Sequence, residues 1–304
     1  MSNTADVKLT KIGLIGVGIM GSGIAKNVAA KSKLPVIVWD EHAETLARAP
    51  EYNCTPAASL KDLVETVDLI GVCLPSGANL EALCTAADGV LAHVRPHQIF
   101  VDFGTSPVKL TRDLAARFAA RGASYADAPI ARGREAAQLG TLSITVGTDP
   151  QTFSEIEPIL NCAGTDVLYC GPVGCGQIVK IMNNMILVQN VVALAESLAT
   201  ARAAGLEDDV LFKALQSGSA DSYALRTHGL KAMWPGEFPK RAFSTRYALK
   251  DVGYALELGK DCGLDLRGAE TSRVLLQEAI DAGFDQEYWP VLLKIIGRAD
   301  NRHG

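Results

Sequence analysis

Ligand-spaced histidines and paired cysteines are missing from this chain. Its seven cysteines (Cys54, Cys73, Cys84, Cys162, Cys170, Cys175 and Cys262) are odd in number, and none stand at Cys-x-x-Cys spacing. That argues against a disulfide framework or a dithiol redox motif and for buried, reduced thiols, as with Cys73 inside Leu69-Ile-Gly-Val-Cys-Leu74. The five histidines (His42, His93, His97, His228 and His303) show no metal-ligand spacing, so no metal site is predicted. There is no Lys/Arg-rich block, and the net charge is -5. Nucleic acid and an anionic membrane surface are therefore not expected as partners. No apolar stretch reaches the roughly 18 residues that span a bilayer. Met1 to Asp6 shows no basic run leading into an apolar one. A cytoplasmic location follows as the expectation.

What is present is ordinary globular composition, with 48% hydrophobic and 21% charged residues, over a length that suits two domains. The first half alternates strand-like and helix-like segments. Lys11–Gly16, Pro35–Trp39, Asp68–Leu74, Gln98–Phe103, Tyr125–Ile130 and Leu142–Val146 read as strands. Ile19–Ala30, Leu60–Val67 and Pro107–Ala120 read as helices. Such alternation predicts an α/β fold with a parallel sheet covered on both faces. After about residue 170 the texture changes. Gln177–Ala204 is a long apolar run of helix-forming residues without internal Gly or Pro, and the segments beyond it (207–216, 222–233, 247–262 and 270–282) all look helical. The expected architecture is a Rossmann-type doubly wound domain over 1–170 and an all-helical domain over 171–304, joined by a long helix.

Gly16-Val-Gly18-Ile19-Met20-Gly21 follows the first strand and opens the first helix. In such a turn the first glycine permits the bend, the second lets a pyrophosphate approach the backbone, and the third lets helix and strand pack closely. The helix N-terminus then offers N–H groups and a partial positive charge to the phosphates. Asp40 ends the second strand, 19 residues after the last glycine. An acid there accepts from the ribose hydroxyls and repels a 2′-phosphate, and no arginine stands beside it. NAD is therefore expected as the cofactor in preference to NADP.

Further on, Gly174-Cys-Gly176-Gln-Ile-Val-Lys180-Ile-Met-Asn183-Asn184 places Lys180 and Asn184 at i and i+4 on one helix face. Reducing a carbonyl needs a proton on oxygen as hydride reaches carbon. A protonated lysine can give it, and a neutral lysine can take it in reverse. An asparagine one turn on can orient amine and substrate.

These residues in this order resemble the β-hydroxyacid dehydrogenase family, which includes 3-hydroxyisobutyrate dehydrogenase, tartronate semialdehyde reductase and relatives of 6-phosphogluconate dehydrogenase. The resemblance runs from Lys11 to about Gly297. Gly16–Gly21 matches the family's fingerprint. Cys73-Leu74-Pro75-Ser76 is similar to its nicotinamide-side loop. Val101–Pro107 is similar to its Asp-x-Ser-Thr segment, with Gly104 where serine is usual and Thr105 implied near the nicotinamide ribose. Asp127–Gly133 resembles the substrate loop. Gly174–Asn184 resembles the catalytic motif, implying Lys180 as acid/base, Asn184 as its partner and Asn183 in contact with substrate. Phe243 with Lys250-Asp251 resembles a late segment whose lysine approaches the cofactor. The resemblance also implies a small anionic substrate and a homodimer or homotetramer.

Ala131-Arg132-Gly133 departs from the family's frequent Ser-Gly-Gly, which binds the substrate carboxylate. An arginine offers a fork for a carboxylate, sulfonate or phosphate, and a similar arginine occurs in the sulfolactaldehyde reductase branch. Arg132 and Gly133 are thus candidates to hold the acidic end of the substrate; the competing reading pairs Arg132 with Glu135 on the surface. Asp221 or Ser222 reads as a helix cap or as a border of the cleft, and Tyr288-Trp289-Pro290 as packing. Two other functions fit the same fold. An imine reductase is disfavoured because its relatives usually replace the lysine, and a silent nucleotide-binding regulatory module is disfavoured by intact Lys180, Asn184 and Lys250.

Overall fold

The computed structural model describes residues 9–240 and 243–297. Met1 to Asp6 and His303, both considered above, lie outside them. The chain divides into two compact units, Met1–Lys180 and Ile181–Gly304.

The first unit is built on a nine-stranded sheet. Its strands are β1 (Ile12–Ile15), β2 (Val36–Trp39), β3 (Thr55–Pro56), β4 (Leu69–Val72), β5 (Ile99–Asp102), β6 (Ser124–Asp127), β7 (Ile130–Ala131), β8 (Leu142–Gly147) and β9 (Gly164–Gly171). They lie in the order β3-β2-β1-β4-β5-β6-β8-β7, with β9 added against β8. The first six run parallel, and every residue of β1, β4 and β5 is buried. That is the signature of a sheet with helices on both faces. Phe100, Phe118 and Tyr125 pack their rings 4.5–5.6 Å apart on one side. The sheet is not wholly parallel. β8 runs antiparallel to β6 and β7, and β9 runs parallel to β8. Only the short Gly133–Leu139 helix separates β7 from β8, too little chain to carry β8 back for a parallel crossover.

Strand order decides where a ligand can sit. Chain connections diverge between β1 and β4, and in open α/β sheets the crevice beyond the strands' carboxyl ends at such a switch point receives the ligand. Because β1, β2, β4, β5 and β6 are parallel, the residues that follow each of them come out on that one edge.

The Cys175–Ala203 helix has 29 residues, roughly 43 Å at 1.5 Å per residue. It corrects one expectation. By length and composition this helix could cross a membrane, with a mean hydropathy of 1.5 over an 18-residue window. Counting uninterrupted apolar residues misses it because Gln177, Lys180, Asn183 and Asn184 break the run, whereas the average is carried by Ile, Val and Leu. In the second unit the same helix contributes Val188, Val191, Ala195 and Leu198 to a buried core with Phe212, Leu276 and Trp289, as a core helix does. The other helices there are Asp208–Ser217, Thr245–Asp261 and Arg267–Asp281. Leu225–Met233 is wound as a π-helix where an α-helix from Ser222 is expected; the Ser222 hydroxyl accepts from Leu225 N–H at 3.1 Å, which is a capping role. His228 is buried within this unit. Its ring packs 5.1 Å from that of Trp289, and its Nδ1 lies 2.5 Å from the Tyr288 hydroxyl. Burial pushes its pKa down to about 4, so it is neutral at pH 7 and accepts from the tyrosine.

Candidate active site

The glycine turn has the geometry that its sequence demands. Gly16 has φ +80°, and a side chain there would run into the Cys73 carbonyl. A Cβ on Gly21 would overlap the Gly16 carbonyl oxygen, whereas one on Gly18 meets only open space. Among the described residues no side chain caps the Ile19–Lys31 helix, so the N–H groups of its first turn are left to an external acceptor. Ile19 is exposed, and Met20 packs against the sheet core. Asp40, just beyond β2, accepts from Val17 N–H at 3.0 Å and from His42 N–H at 3.0 Å, with the His42 ring 3.1 Å away. The carboxylate is thereby pinned against the glycine turn. This open, N–H-lined turn with an acid at its side fits a dinucleotide.

Leu74 and Pro75 follow β4, and Gly104, Thr105 and Ser106 follow β5, on the same edge. The latter loop is fastened by the buried Asp102, which accepts from Gly104 N–H at 2.8 Å and from the Ser106 hydroxyl at 2.9 Å. A second buried acid, Asp127, ends β6. It accepts from Gly174 N–H and Gln177 N–H, each at 2.7 Å, and so caps the long helix. Burial pushes its pKa up to about 6, against the pull of these backbone bonds. Both acids stand inside motifs named above, Val101–Pro107 and Asp127–Gly133, but no motif assigns either of them this fastening role; each is a carboxylate ending an apolar strand, in Phe-Val-Asp102 and Tyr-Ala-Asp127.

Lys180 is half-buried one turn before Asn184 on this helix. Within the second unit Asn184 is 7% exposed. Its Nδ2 donates to Asp251 Oδ2 at 2.6 Å, and its Oδ1 accepts from Asn183 Nδ2 at 3.0 Å. The other oxygen of Asp251 lies 3.1 Å from Lys250 Nζ, and that ammonium sits over the Tyr247 and Tyr254 rings. Both ends of the Asn184 amide are thus set by neighbours, which fixes its orientation. Asp251 as that anchor escaped the sequence reading, because 67 residues separate it from Asn184.

Arg132 pairs with groups on the neighbouring strands rather than with Glu135, the surface partner expected. Nη1 donates to Thr141 O at 3.2 Å and Thr165 Oγ1 at 3.1 Å and pairs with Asp166 at 2.6 Å; the Thr165 hydroxyl, and after it Arg132, hold the Asp166 carboxyl below its usual range. Its backbone has φ +86°, the left-handed region that costs a non-glycine residue about 1–2 kcal/mol. Gly133 follows at φ +78° with open space at its Cβ position. We expect Arg132→Gly to lose the ion pair yet keep its melting temperature within a few degrees, because backbone strain is relieved. Calorimetry checks this; a large drop would mean that the guanidinium contacts hold the loop together. Among the described residues no group of three or more His, Cys, Asp or Glu gathers for a metal.

Residues 11–171 match the family described as the NAD binding domain of 6-phosphogluconate dehydrogenase. Residues 174–289 match that described as NAD-binding of NADP-dependent 3-hydroxyisobutyrate dehydrogenase. The chain belongs to the β-hydroxyacid dehydrogenase family. It is 32% identical to the mitochondrial 3-hydroxyisobutyrate dehydrogenase of Rattus norvegicus over 81% of this chain and 75% of the relative. It is 29% identical to the 2-(hydroxymethyl)glutarate dehydrogenase of Eubacterium barkeri over 95% of each. A solved structure of Mycobacterium tuberculosis 3-hydroxyisobutyrate dehydrogenase with L-serine superposes with a TM-score of 0.87, at 25% identity, over 95% of this chain and 99% of that one. The protein is thus an NAD(P)-dependent β-hydroxyacid dehydrogenase, and its α/β Rossmann-like unit followed by helices is the family's fold.

Proposed function

We propose that this protein interconverts a short β-hydroxy acid and its semialdehyde or oxo acid with NAD(H), using Lys180 as the acid/base. The observation that carries this reading is the capped helix. Asp127 fixes its first turn, Gln177 in that turn bonds the Gly104–Ser106 loop, and Lys180 stands one turn further along. Bound NAD supplies the hydride acceptor, and NADH the donor in reverse. Lys180 takes the hydroxyl proton during oxidation and returns it during reduction. Asn184, its amide locked by Asp251 and Asn183, presents a fixed dipole one turn along. Thr105, Leu74, Pro75 and Lys250 are assigned to the cofactor. The acidic end of the substrate is assigned to the Arg132-Gly133 turn, with Arg132 exchanging Asp166 for the substrate anion and Asn183 contributing a further polar contact. We also assign the functional state to a homodimer or homotetramer, which sedimentation tests directly.

Two measurements test the reading. Aldehyde-dependent NADH oxidation is followed against methylmalonate, succinate and tartronate semialdehydes and sulfolactaldehyde, with L-serine and 2-(hydroxymethyl)glutarate assayed in the oxidative direction. One substrate should stand out, and Arg132→Gly should raise its KM about tenfold or more. An unchanged KM removes the arginine from the substrate site. Each assay is repeated with the phosphorylated cofactor. Asp40 accepts backbone N–H bonds as an anion, and a 2′-phosphate beside it meets like charge. A hydrogen bond to a charged group is worth about 1.5–3 kcal/mol, so NAD should lead NADP in kcat/KM by roughly ten- to hundredfold. A larger value with NADP would overturn the preference.

A further inference from the structure

Gln177 is fully buried, and its amide is used at both ends. Oε1 accepts from Ser106 N–H at 3.1 Å. Nε2 donates to Gly104 O at 2.9 Å and to Asp102 Oδ2 at 3.3 Å. The amide cannot be reversed without facing donor to donor at Ser106 N–H. The backbone N–H of the same residue donates to Asp127. One residue thus joins three things: the loop after β5, the acid that ends β6, and the first turn of the helix that carries Lys180 one turn further on. Two glycines make the approach possible, since a side chain at Gly147 or Gly176 would press on the Asp127 carboxylate.

We propose that Gln177 is a positioning residue that holds Lys180 in register with the loop at Gly104–Ser106. This rests on Lys180 being the acid/base and Thr105 lying beside the cofactor. The side chain touches neither; it sets the distance between the elements that do. In a hydride transfer the proton donor and the ring must stay aligned, and a misplacement of about 1 Å can cost about a hundredfold in rate.

The test uses Gln177→Leu and Gln177→Glu in the full-length protein, with Lys180→Ala alongside. Thermal melts, NADH affinity by fluorescence and steady-state kinetics are measured for each. Gln177→Leu keeps the volume and loses the amide, so kcat should fall about 10- to 100-fold, with the substrate KM moving less than about threefold. Gln177→Glu keeps an acceptor for Ser106 N–H, and regains a donor only when protonated. The charged and titratable groups around it are Asp102 and Asp127, with Tyr125 beside both carboxylates, Cys73 and Cys84 beside Asp102, and Cys170 beside Asp127. Two like charges raise the proton affinity of a glutamate placed there. Its kcat relative to wild type should therefore rise as pH is lowered, a signature that loss of packing alone does not produce. Wild-type kcat in Gln177→Leu, or a pH-independent ratio for Gln177→Glu, would overturn the proposal. If Gln177→Leu does not fold, the glutamate series decides alone. Wild-type kcat in Lys180→Ala would instead remove the acid/base reading, and the positioning role with it.

Discussion

Replacing Lys180 with alanine should lower kcat by about 10²–10⁴-fold, the usual contribution of a general acid/base, while the affinity for NADH stays near wild type. The two effects separate because the dinucleotide is assigned to the glycine turn and Asp40, on loops following β1 and β2, whereas Lys180 is assigned to the substrate oxygen. Lys180→Arg should be nearly as inactive. A guanidinium keeps the charge but does not give up its proton near neutral pH, so it cannot cycle between acid and base. Stopped-flow binding and steady-state turnover of the three proteins check this. An alanine variant with near-normal kcat would place the proton transfer elsewhere.

Gly21→Ala should abolish measurable cofactor binding. Its new methyl group would overlap the Gly16 carbonyl, which is backbone at the start of the same turn and cannot swing aside as a flexible side chain would. The Ile19–Lys31 helix must shift away from β1, and its N–H groups move with it. Overpacking of this kind costs about 1–3 kcal/mol of stability, so the melting temperature should drop as well. Gly18→Ala is the informative comparison. Its Cβ enters open space, and Gly18 has φ −64°, a value that alanine accepts readily. That variant should melt like wild type yet bind NADH weakly, since the open space is where the pyrophosphate would approach. Equal NADH affinity in Gly18→Ala and wild type would move the dinucleotide away from this turn.

The parts of the site legible in the sequence are those written over short distances. The glycine turn needs six consecutive residues, Asp40 stands one β-α-β unit further on, and Lys180 and Asn184 are neighbours by helical periodicity. Strand and helix alternation, set by apolar periodicity and glycine, was equally local, and with it came the Rossmann order and the helical second unit. The exceptions share a cause. That β8 turns antiparallel, and that β9 pairs with it, depends on which edge is open when those strands arrive. Arg132 was readable as a cation beside a substrate loop, but its partners Thr141, Thr165 and Asp166 come from the start and the far side of a neighbouring strand pair. Asp251 reaches Asn184 across 67 residues, and Gln177 reaches Asp102 across 75.

The fold class was legible in the chain alone, as were the glycine turn, the position of Asp40 and the Lys180–Asn184 spacing, because each rests on backbone conformation and side-chain spacing within a few turns of chain. The buried acids that hold these groups in place became visible only in the folded chain, because Asp127 binds backbone N–H groups that carry no side-chain identity, while Asp102 and Asp251 meet Gln177 and Asn184 across 75 and 67 residues.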